Sequence, residues 1–596
     1  MNHFSYNRRI SREVKVGNII IGGNHPIRVQ SMTNTPTLDT KKTVKQIVKL
    51  YEAGSELVRL TVEDEKTAYN LLNIQNELKK HKINVPLIAD IHFNYKAALI
   101  ACDYVQKIRI NPGNLVAWEE DKLNPESELK KITERISPLI EKLKKNNIAV
   151  RIGVNHGSLS RRILERYGNT VKGMVVSAIE YIDIFSALNY HDIVLSMKSS
   201  IPQVMIEAYR NLADIIDKKN LNYPLHLGVT EAGEGISARI KSSFGVGALL
   251  LEGIGDTIRF SLTEPPEKEI PVAKKLVKRI ELMSSILRSS NSHPEQNTAN
   301  QTTRLNNSFT VGNYKSPPLV GVYLNKIKLN DVNSKLEISE ADFLVLSDKL
   351  KLKDYKSISV NKKLFNEINL KKLSENNIQT DNNILTLDLR HSFDLFVLKE
   401  YPQVKILLTA PTRNYFYDIK KFLRNFNEQK LKNDIYLLYR SSMPIMNTVL
   451  FSSCDLGSLL VSELIKGIII SNPKIKTNSL LNICFEILQA TRLKITKTEY
   501  ISCPTCGRTQ FNLVEATKKI KEATSHLPGL KIAIMGCIVN GPGEMADADY
   551  GYVGSANGKV TLFKGKNIAG RNILPEDSLK ELINIIKSDG RWKEKT

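Results

Sequence analysis

Eight short apolar runs, each followed by a segment with helical spacing, dominate the first half of the sequence and constrain its fold more than any other feature. Segments such as KKTVKQIVKLYEAG lie between the runs and carry apolar residues three and four positions apart. The runs are IRVQSM (27–32), LVRLTV (57–62), PLIADI (86–91), KIRINP (107–112), AVRIGV (149–154), DIVLSM (192–197), PLHLGV (224–229) and DTIRFS (256–261). Eight buried strands alternating with helices predict a TIM (βα)8 barrel. An open doubly wound sheet is the alternative, and the absence of a GxGxxG loop weakens its dinucleotide-binding form.

The rest of the chain divides by composition. A stretch rich in Ser, Asn, Thr and Gln begins near residue 288 and is typical of a linker. Six further apolar runs follow it: LVGVYL, DFLVLS, NILTLD, VKILLTA, DIYLLY and GIIIS. We therefore predict a barrel over 1–290, a linker over 291–317, an inserted α/β domain, for which a second barrel is one option, over 318–490, and a small α+β domain over 491–596.

Cations and other polar residues stand on the predicted barrel strands or directly after them. Five of the eight strands carry or lead into the cations Arg59, Arg109, Arg151, Lys198 and Arg259. Burying so many cations without anions is prohibitive, and one carboxylate cannot satisfy all five. A diphosphate bound by charge-assisted contacts is the economical solution. Other polar residues at the same ends of the strands are Asp90, His92, Asn155, Glu231 and Ser261.

Three of the six cysteines form a constellation near the C-terminus. Cys503 and Cys506 lie in CPTCGRT, and Cys537 lies in MGCIVNGPGE. Three thiolates with one vacant position fit a 4Fe–4S cluster, one per chain, whose fourth iron has another ligand. Glu544, beyond the NGPG turn, is the candidate for that ligand. A zinc site and a redox dithiol are the alternatives, although zinc would want a fourth cysteine or a histidine. The remaining cysteines (Cys102, Cys454 and Cys484) have apolar or small neighbours and are expected to be inert core thiols.

Bulk properties limit the class of protein. The chain has 596 residues, of which 42% are hydrophobic and 25% charged, as expected of a globular protein with a sizeable core. No signal peptide and no uninterrupted apolar run of spanning length is recognisable, which predicts a cytoplasmic protein without membrane association. The net charge of +23 comes mainly from dispersed lysines. We therefore expect no nucleic-acid site, although a basic zinc-ribbon protein remains the alternative from another class.

Long motifs also give the chain a family resemblance. VQSMTNT, LIADIHF, KIRINPGN, RIGVN, SMKSS, VTEAGEG and DTIRFSLT, with CPTCGRT and GCIVNGPGEMADADYGYVG, resemble 4-hydroxy-3-methylbut-2-enyl diphosphate synthases. The middle region resembles the extra domain of the family's long form. The resemblance implies reductive ring opening of 2-C-methyl-D-erythritol 2,4-cyclodiphosphate in the non-mevalonate isoprenoid pathway. Flavodoxin or ferredoxin would supply the two electrons.

The resemblance also implies roles for individual residues. It assigns the cluster to Cys503, Cys506, Cys537 and Glu544, and it makes Glu231 the proton donor. The five strand cations, with Asn155 and Ser261, would hold the diphosphate. Asp90 and His92 would shape the pocket or orient its other groups. We expect the C-terminal domain to close over the barrel of its own chain, although closure between the subunits of a homodimer is the alternative.

Overall fold

The computed structural model describes residues 6–115, 125–289, 316–324, 340–347, 363–369, 383–503, 506, 509–537, 543, 545 and 548–595. These residues form two compact units. One consists of Asn7–Val277 together with Lys497–Thr596, and the other consists of Met1–Tyr6 together with Lys278–Thr496. The C-terminal segment therefore belongs to the same unit as the N-terminal barrel, although more than 200 residues separate them in sequence.

The N-terminal part is an eight-stranded parallel barrel preceded by a short hairpin. Within the sheet the strand order is β8-β7-β6-β5-β4-β3-β10-β9, and a parallel bridge between Leu195 and Leu225 joins the two ends. The TIM-barrel prediction is confirmed, and each of the eight predicted runs overlaps one strand. The strands are β1 Val14–Val16, β2 Ile19–Ile21, β3 Arg28–Met32, β4 Leu57–Val62, β5 Leu87–Ile91, β6 Lys107–Ile110, β7 Ala149–Asn155, β8 Ile193–Lys198, β9 His226–Leu227 and β10 Thr257–Ile258.

Helices follow the barrel strands and cover their outer surface. In α2, for example, the Asp64 side chain caps the first turn by accepting from the Thr67 amide, and the buried residues Leu71, Ile74 and Leu78 recur at three- and four-residue spacing. The helices are α1 Thr40–Glu52, α2 Glu65–Lys80, α3 Tyr95–Ala101, α4 Pro125–Asn146, α5 Arg161–Tyr167, α6 Val171–Ala187, α7 Pro202–Lys218, α8 Gly235–Leu251 and α9 Glu269–Ser289.

The β1–β2 hairpin closes one end of the barrel. Val14, Val16 and Ile21 from the hairpin pack in one buried cluster with barrel residues that include Ile88 and Val194. Both barrel residues lie near the start of their strands, so the apolar cluster fills the N-terminal end. A polar ligand must therefore approach from the C-terminal ends of the strands, where TIM barrels place their active sites.

The middle unit is a second, closed barrel of seven parallel strands. The sequence predicts six of them, but it does not indicate β13, because half of its run KLFNEI is polar. Phe365 of that strand is buried against Phe343 and Tyr436 inside the barrel. The strands are β11 Leu319–Leu324, β12 Phe343–Leu346, β13 Lys363–Ile368, β14 Asn383–Asp388, β15 Lys405–Thr409, β16 Ile435–Arg440 and β17 Gly467–Ser471, and the helices are α10 Tyr415–Glu428, α11 Ile445–Ser462 and α12 Thr477–Ala490.

One helix of the described part, α11, is long and apolar enough to cross a membrane by length and composition alone. However, 72% of that helix is buried inside the protein. It lies in the middle unit beside α10, α12 and β16. Such burial among helices and strands is that of a core helix.

The described residues of the C-terminal part form a five-stranded mixed sheet with two helices. Its first three strands are parallel and its last two pairings are antiparallel. Ile532, Tyr552 and Leu582 belong to the core between the sheet and the helices. The elements are β18 Glu499–Ser502, β19 Lys531–Met535, β20 Tyr550–Gly554, β21 Val560–Lys564, β22 Asn567–Ile573, α13 Leu513–Thr524 and α14 Pro575–Ser588.

Candidate active site

The five strand cations lie together within the barrel. Arg109, Arg151, Lys198 and Arg259 are buried, and the Arg59 side chain is 11% exposed. Burial lowers the pKa of Lys198 well below its ordinary value, and the charges of the other four cations lower it further: Arg59, Arg151, Arg259 and Arg109. An electrostatic effect of this kind requires short distances. The fold therefore brings to one place the cations that the sequence distributes over 200 residues.

Two buried carboxylates compensate part of this charge. Asp90 lies 3.4 Å from an Arg109 nitrogen and 4.0 Å from the Arg59 Nε. Burial opposes the ionised form of Asp90, yet the charges of Arg59, His92 and Arg109 hold its pKa well below the ordinary value. Glu269 accepts from both Nε and Nη2 of Arg259, each at 3.2 Å. Positive charge remains in excess, so the site suits an anion.

Asp90, His92 and Asn155 contact Arg109 and fix its orientation. The Nη1 of Arg109 lies 2.8 Å from the Nε2 of His92, and its Nη2 donates to the Gly153 carbonyl at 2.9 Å. The Asn155 oxygen is 3.4 Å from the same Nη2. A Cβ at Gly153 would stand 2.7 Å from the Arg109 Nε, so glycine leaves the space that the guanidinium occupies.

The sequence analysis missed a sixth cation, Lys107. This residue is fully buried, and its Nζ has no hydrogen-bond partner within the described residues. The Lys107 pKa lies well below its ordinary value. Burial is the main cause, and the charges of Arg151 and Arg59 lower the pKa further. Lys107 precedes Arg109 by two positions on β6, and side chains alternate along a strand, so both face the barrel interior. That alternation could have identified Lys107 from the sequence. It was missed because a lysine at the start of a strand is ordinarily exposed to solvent.

Arg151 and His226 complete the polar interior. The Nε and Nη1 of Arg151 also lack hydrogen-bond partners in the described part of the chain. His226, whose ring faces the Gln30 amide at 2.8 Å, has a pKa lowered well below its ordinary value by burial and by the charges of four cations, the largest from Arg151. Buried donors of this kind are costly unless a ligand or ordered water satisfies them. Ser261, two residues after Arg259, is buried too.

Glu231 lies on a loop that joins the barrel to the C-terminal sheet of the same unit. Its φ of 53° is left-handed, which costs a side chain of this size about 1–2 kcal/mol. The next residue, Ala232, forms a parallel bridge with Ser502 at the end of β18. The Glu231 carboxylate is buried and close enough to Cys503 for its charge to raise the pKa of that thiol. The proton donor suggested by the resemblance thus lies beside the cysteine motif.

The three cysteines of the motif follow the ends of β18 and β19 and are all partly exposed. The Gly536 amide donates to the Cys503 sulfur at 3.2 Å, a contact typical of thiolates that bind iron–sulfur clusters. The pKa of Cys503 is raised well above its ordinary value, first by burial and then by Cys506, Glu231 and Cys537. Three cysteine sulfurs gathered in this way can ionise together only beside a cationic partner, and the donor set fits a cluster. Glu544 lies outside the described residues.

The described residues contain no group of three His, Cys, Asp or Glu side chains arranged to hold a metal ion. A zinc ion requires its thiolates within about 4 Å of one another because each Zn–S bond is about 2.3 Å long. A four-iron cluster binds each thiolate to a different iron and keeps them farther apart.

The other three cysteines are buried, as expected of core thiols, and burial raises the pKa of each to about 12.

Two family models match the chain. The model of the GcpE TIM-barrel domain matches residues 11–274, and that of the GcpE protein C-terminal domain matches residues 499–588. Together they cover the unit that holds the strand cations and the cysteines.

Curated relatives match along almost the whole chain. Proteins named 4-hydroxy-3-methylbut-2-en-1-yl diphosphate synthase (flavodoxin) are 41% identical in Leptospira interrogans, 39% in Protochlamydia amoebophila and 38% in Bacteroides fragilis. The matches span 99%, 98% and 100% of this chain and 98%, 97% and 98% of the respective relatives. The middle barrel, which neither family model covers, is therefore shared with these relatives. The chain belongs to the family of 4-hydroxy-3-methylbut-2-en-1-yl diphosphate synthases.

Proposed function

We propose that this protein catalyses the reductive ring opening of 2-C-methyl-D-erythritol 2,4-cyclodiphosphate in the non-mevalonate isoprenoid pathway. The products are 4-hydroxy-3-methylbut-2-enyl diphosphate and water. Written for the neutral acids, the conversion takes up two electrons and two protons: the ring C–O bond to phosphate breaks, and a hydroxyl leaves as water. The protein must therefore bind a diphosphate, protonate a leaving oxygen and receive electrons from a donor.

The observation that carries the proposal is the convergence of buried cations within one barrel. Lys198 experiences the charges of four arginines, three of which lie on β4, β6 and β7 and the fourth directly after β10. Asp90 and Glu269 offset part of these charges through ion pairs with Arg109 and Arg259. A cyclic diphosphate brings two negative charges on adjacent phosphates, and planar guanidinium groups bind such oxygens in pairs.

The polar residues named at the ends of the barrel strands have the following roles in this proposal. Arg59, Arg109, Arg151, Lys198 and Arg259 bind the diphosphate oxygens, with Asn155 and Ser261 as neutral partners. Asp90 and His92 act through Arg109, which both contact, and are positioning residues. Arg151 has two buried donors that the described residues leave without hydrogen-bond partners, and it is the strongest candidate for direct contact.

Glu231 delivers a proton to the departing hydroxyl. Its loop begins where the Thr230 amide donates to the Ser199 carbonyl at 3.2 Å, one residue beyond the phosphate-binding Lys198. Its other side meets the strand that leads into Cys503. The carboxyl group therefore lies between the anion site and the cysteines, where a general acid for this reaction has to be.

Cys503, Cys506 and Cys537 hold the redox cofactor, with Glu544 as the fourth ligand. A 4Fe–4S cluster bound there would supply the two electrons one at a time. The chain's own contribution is to hold the thiolates at the barrel mouth and to donate the Gly536 amide to the Cys503 sulfur. Flavodoxin, which the names of the relatives specify, is the proposed electron donor, with ferredoxin as the alternative.

We further propose a cytoplasmic enzyme that closes its site within one chain. The barrel loop at Ala232 and the Cys503-bearing strand already meet in one unit, which makes a partner subunit unnecessary for closure, although a homodimer remains compatible. Mixing an Arg151→Met chain with a Cys537→Ala chain should then restore no activity. Recovery of activity in the mixture would indicate closure between subunits.

The first experiment measures iron, sulfide and zinc in protein purified without oxygen. We expect about four irons and four sulfides per chain and a brown visible spectrum. Cys537→Ala should lose the iron, whereas the matched control Cys484→Ala, which alters a buried thiol of the middle unit, should retain it. Stoichiometric zinc without iron or sulfide would favour the zinc-ribbon alternative.

The second experiment assays the cyclodiphosphate with reduced flavodoxin and identifies the product. Arg151→Met should retain its iron and lose activity, because the exchange removes a contact with the anion but leaves every proposed cluster ligand in place. A cluster-loaded wild-type protein that leaves the cyclodiphosphate unchanged would refute the proposed reaction, even if the cluster is present.

A further inference from the structure

Three segments of the barrel-containing unit meet beside Cys503. They are the loop after β9 (residues 231–235), the loop after β10 (residues 262–264) and strand β18. The Thr263 amide donates to the Gly233 carbonyl at 2.7 Å, which ties the two barrel loops together. The bridge between Ala232 and Ser502 ties the first loop to β18. Glu231 and Cys503 are the residues that flank this bridge.

The Thr263 side chain makes the third connection. Its hydroxyl lies 3.2 Å from the Cys503 carbonyl oxygen and 3.3 Å from that of Ser502, and it can donate its proton to either. The Ser502 hydroxyl is also within 3.1 Å. Thr263 and Ser502 have no exposed surface. One threonine thus bonds to the Glu231 loop through its backbone and to the cysteine-bearing strand through its side chain.

This connection bears on Glu231 because the backbone of that residue is strained. A left-handed glutamate persists only where the surrounding structure imposes the conformation. Gly233 and Gly235, also at positive φ, let the loop turn sharply, and they supply no side chains that would hold it in place. Thr263 and β18 therefore supply restraints on the loop, in addition to the Glu264 carboxylate, which accepts from the Gly235 amide at 3.0 Å.

Another contact between the same parts is weaker. Lys521 of α13 lies 3.1 Å from Glu234, but each side chain is 25% exposed, and ion pairs of that kind contribute little. A buried hydroxyl bonded to a main-chain carbonyl is harder to replace, since removing it leaves the carbonyl without that partner.

We propose that Thr263 is a positioning residue that holds the Glu231 loop against the strand bearing Cys503, and so sets the proton donor relative to the cysteine motif. This inference rests on the proposed function for the role of Glu231. The contact itself does not depend on that function, and the two can be tested separately.

The test compares three variants of the cluster-loaded protein. Thr263→Val removes the hydroxyl and keeps the shape of the side chain, and Thr263→Ser keeps the hydroxyl. Thr257→Val is the matched control, because Thr257 is equally buried but its hydroxyl has no hydrogen-bond partner among the described residues. All three exchanges are small enough for the barrel to fold.

Amide hydrogen exchange is the primary readout, measured without substrate. In Thr263→Val we expect exchange at residues 231–235 and 499–503 to accelerate by about tenfold, the effect of one lost buried hydrogen bond. Thr263→Ser and Thr257→Val should stay within about twofold of the wild type at the same amides. Unchanged exchange in Thr263→Val, or faster exchange throughout the barrel, would overturn the inference.

Turnover of the cyclodiphosphate is the second readout. For Thr263→Val we expect kcat to fall by about tenfold and KM to stay within about twofold of the wild-type value. The diphosphate contacts remain, but Glu231 is no longer held in position beside Cys503. A rise in KM at constant kcat would contradict the role in positioning. If the wild type itself fails to convert the cyclodiphosphate, the proposed function falls, and the exchange experiment still decides whether Thr263 couples the two segments.

Discussion

Lys107 provides a quantitative test of the electrostatics inside the barrel. Its ammonium group is fully buried without a hydrogen-bond partner among the described residues, and its pKa lies well below 10.5 because of burial and the charges of Arg151 and Arg59. In the unfolded chain the pKa returns to about 10.4. Between the two values the unfolded chain binds one proton more than the folded chain, so the free energy of unfolding rises with pH.

Replacing Lys107 by methionine removes the contribution of this residue to the pH dependence of the free energy of unfolding. Lys107→Met retains a similar apolar length, and at pH 8 we expect it to be more stable than the wild type by about 2 kcal/mol, as when buried charges give way to apolar groups. Lys107 destabilises the protein most at a pH below its pKa in the folded state. This destabilisation disappears as the pH rises past its pKa in the unfolded chain. The advantage of the variant should therefore shrink by up to about 1.4 kcal/mol for each pH unit in that window.

Urea unfolding of the substrate-free protein at pH 8, 9 and 10, followed by circular dichroism, measures this difference. The two proteins are compared at each pH, so the titrations of all other groups cancel. The exposed Lys41→Met serves as the matched control for the exchange of residue type. A stability difference that does not change with pH would refute the reasoning, because it would mean that Lys107 binds its proton equally in both states.

The same variant should bind anions less well. The negative charge of a bound diphosphate favours the protonated form of Lys107. The resulting ammonium group attracts the diphosphate and so increases the affinity. We expect the affinity for inorganic pyrophosphate, measured by calorimetry, to fall by about tenfold in Lys107→Met. An unchanged affinity would show that this lysine lies too deep to act on the ligand.

Three further predictions concern other contacts. Gly153→Ala places a methyl group 2.7 Å from the Arg109 Nε, so we expect calorimetry to show pyrophosphate affinity reduced about tenfold with iron content unchanged; unchanged affinity would mean that the guanidinium can move without loss. Gly543→Ala brings a Cβ to 2.1 Å from the Gly157 carbonyl of the barrel, and turnover should fall about 100-fold, because the C-terminal segment can no longer approach; normal turnover would contradict this. Asp455→Asn leaves the buried Arg279, which like Asp455 belongs to the middle unit, without its ion-pair partner. The free energy of unfolding of the middle unit in urea should fall by about 3–5 kcal/mol without a change in iron content; an unchanged unfolding midpoint would refute it.

The sequence by itself determined the barrel and named most of the residues of the proposed anion site. Eight apolar runs alternate with helical segments, and the local pattern is sufficient because a parallel strand buried on both faces must read as an apolar run. The cations stand out because charge within such a run needs an explanation. Arg109 and Arg151, for example, interrupt KIRINP and AVRIGV, and the structure places them side by side on β6 and β7.

The sequence did not indicate every element of the two barrels. Strand β13 was missed because half of its residues are polar, and its place depends on Phe365 packing against rings from other strands. Lys107 was missed for a related reason: a lysine at the start of a strand is ordinarily solvated. Its burial follows from the closure of the barrel and the hairpin beneath it, both of which are long-range events.

Only the tertiary structure decided how the acid meets the cysteines. Glu231 and Cys503 are separated by 272 positions in the sequence, and no local pattern relates them. Their proximity depends on the Ala232–Ser502 bridge and on Thr263, both of which form only when the C-terminal sheet docks on the loops of the barrel. Local sequence encodes strands, helices and the residues that bear charge, but distances between residues far apart in the chain are set by the packing of whole elements.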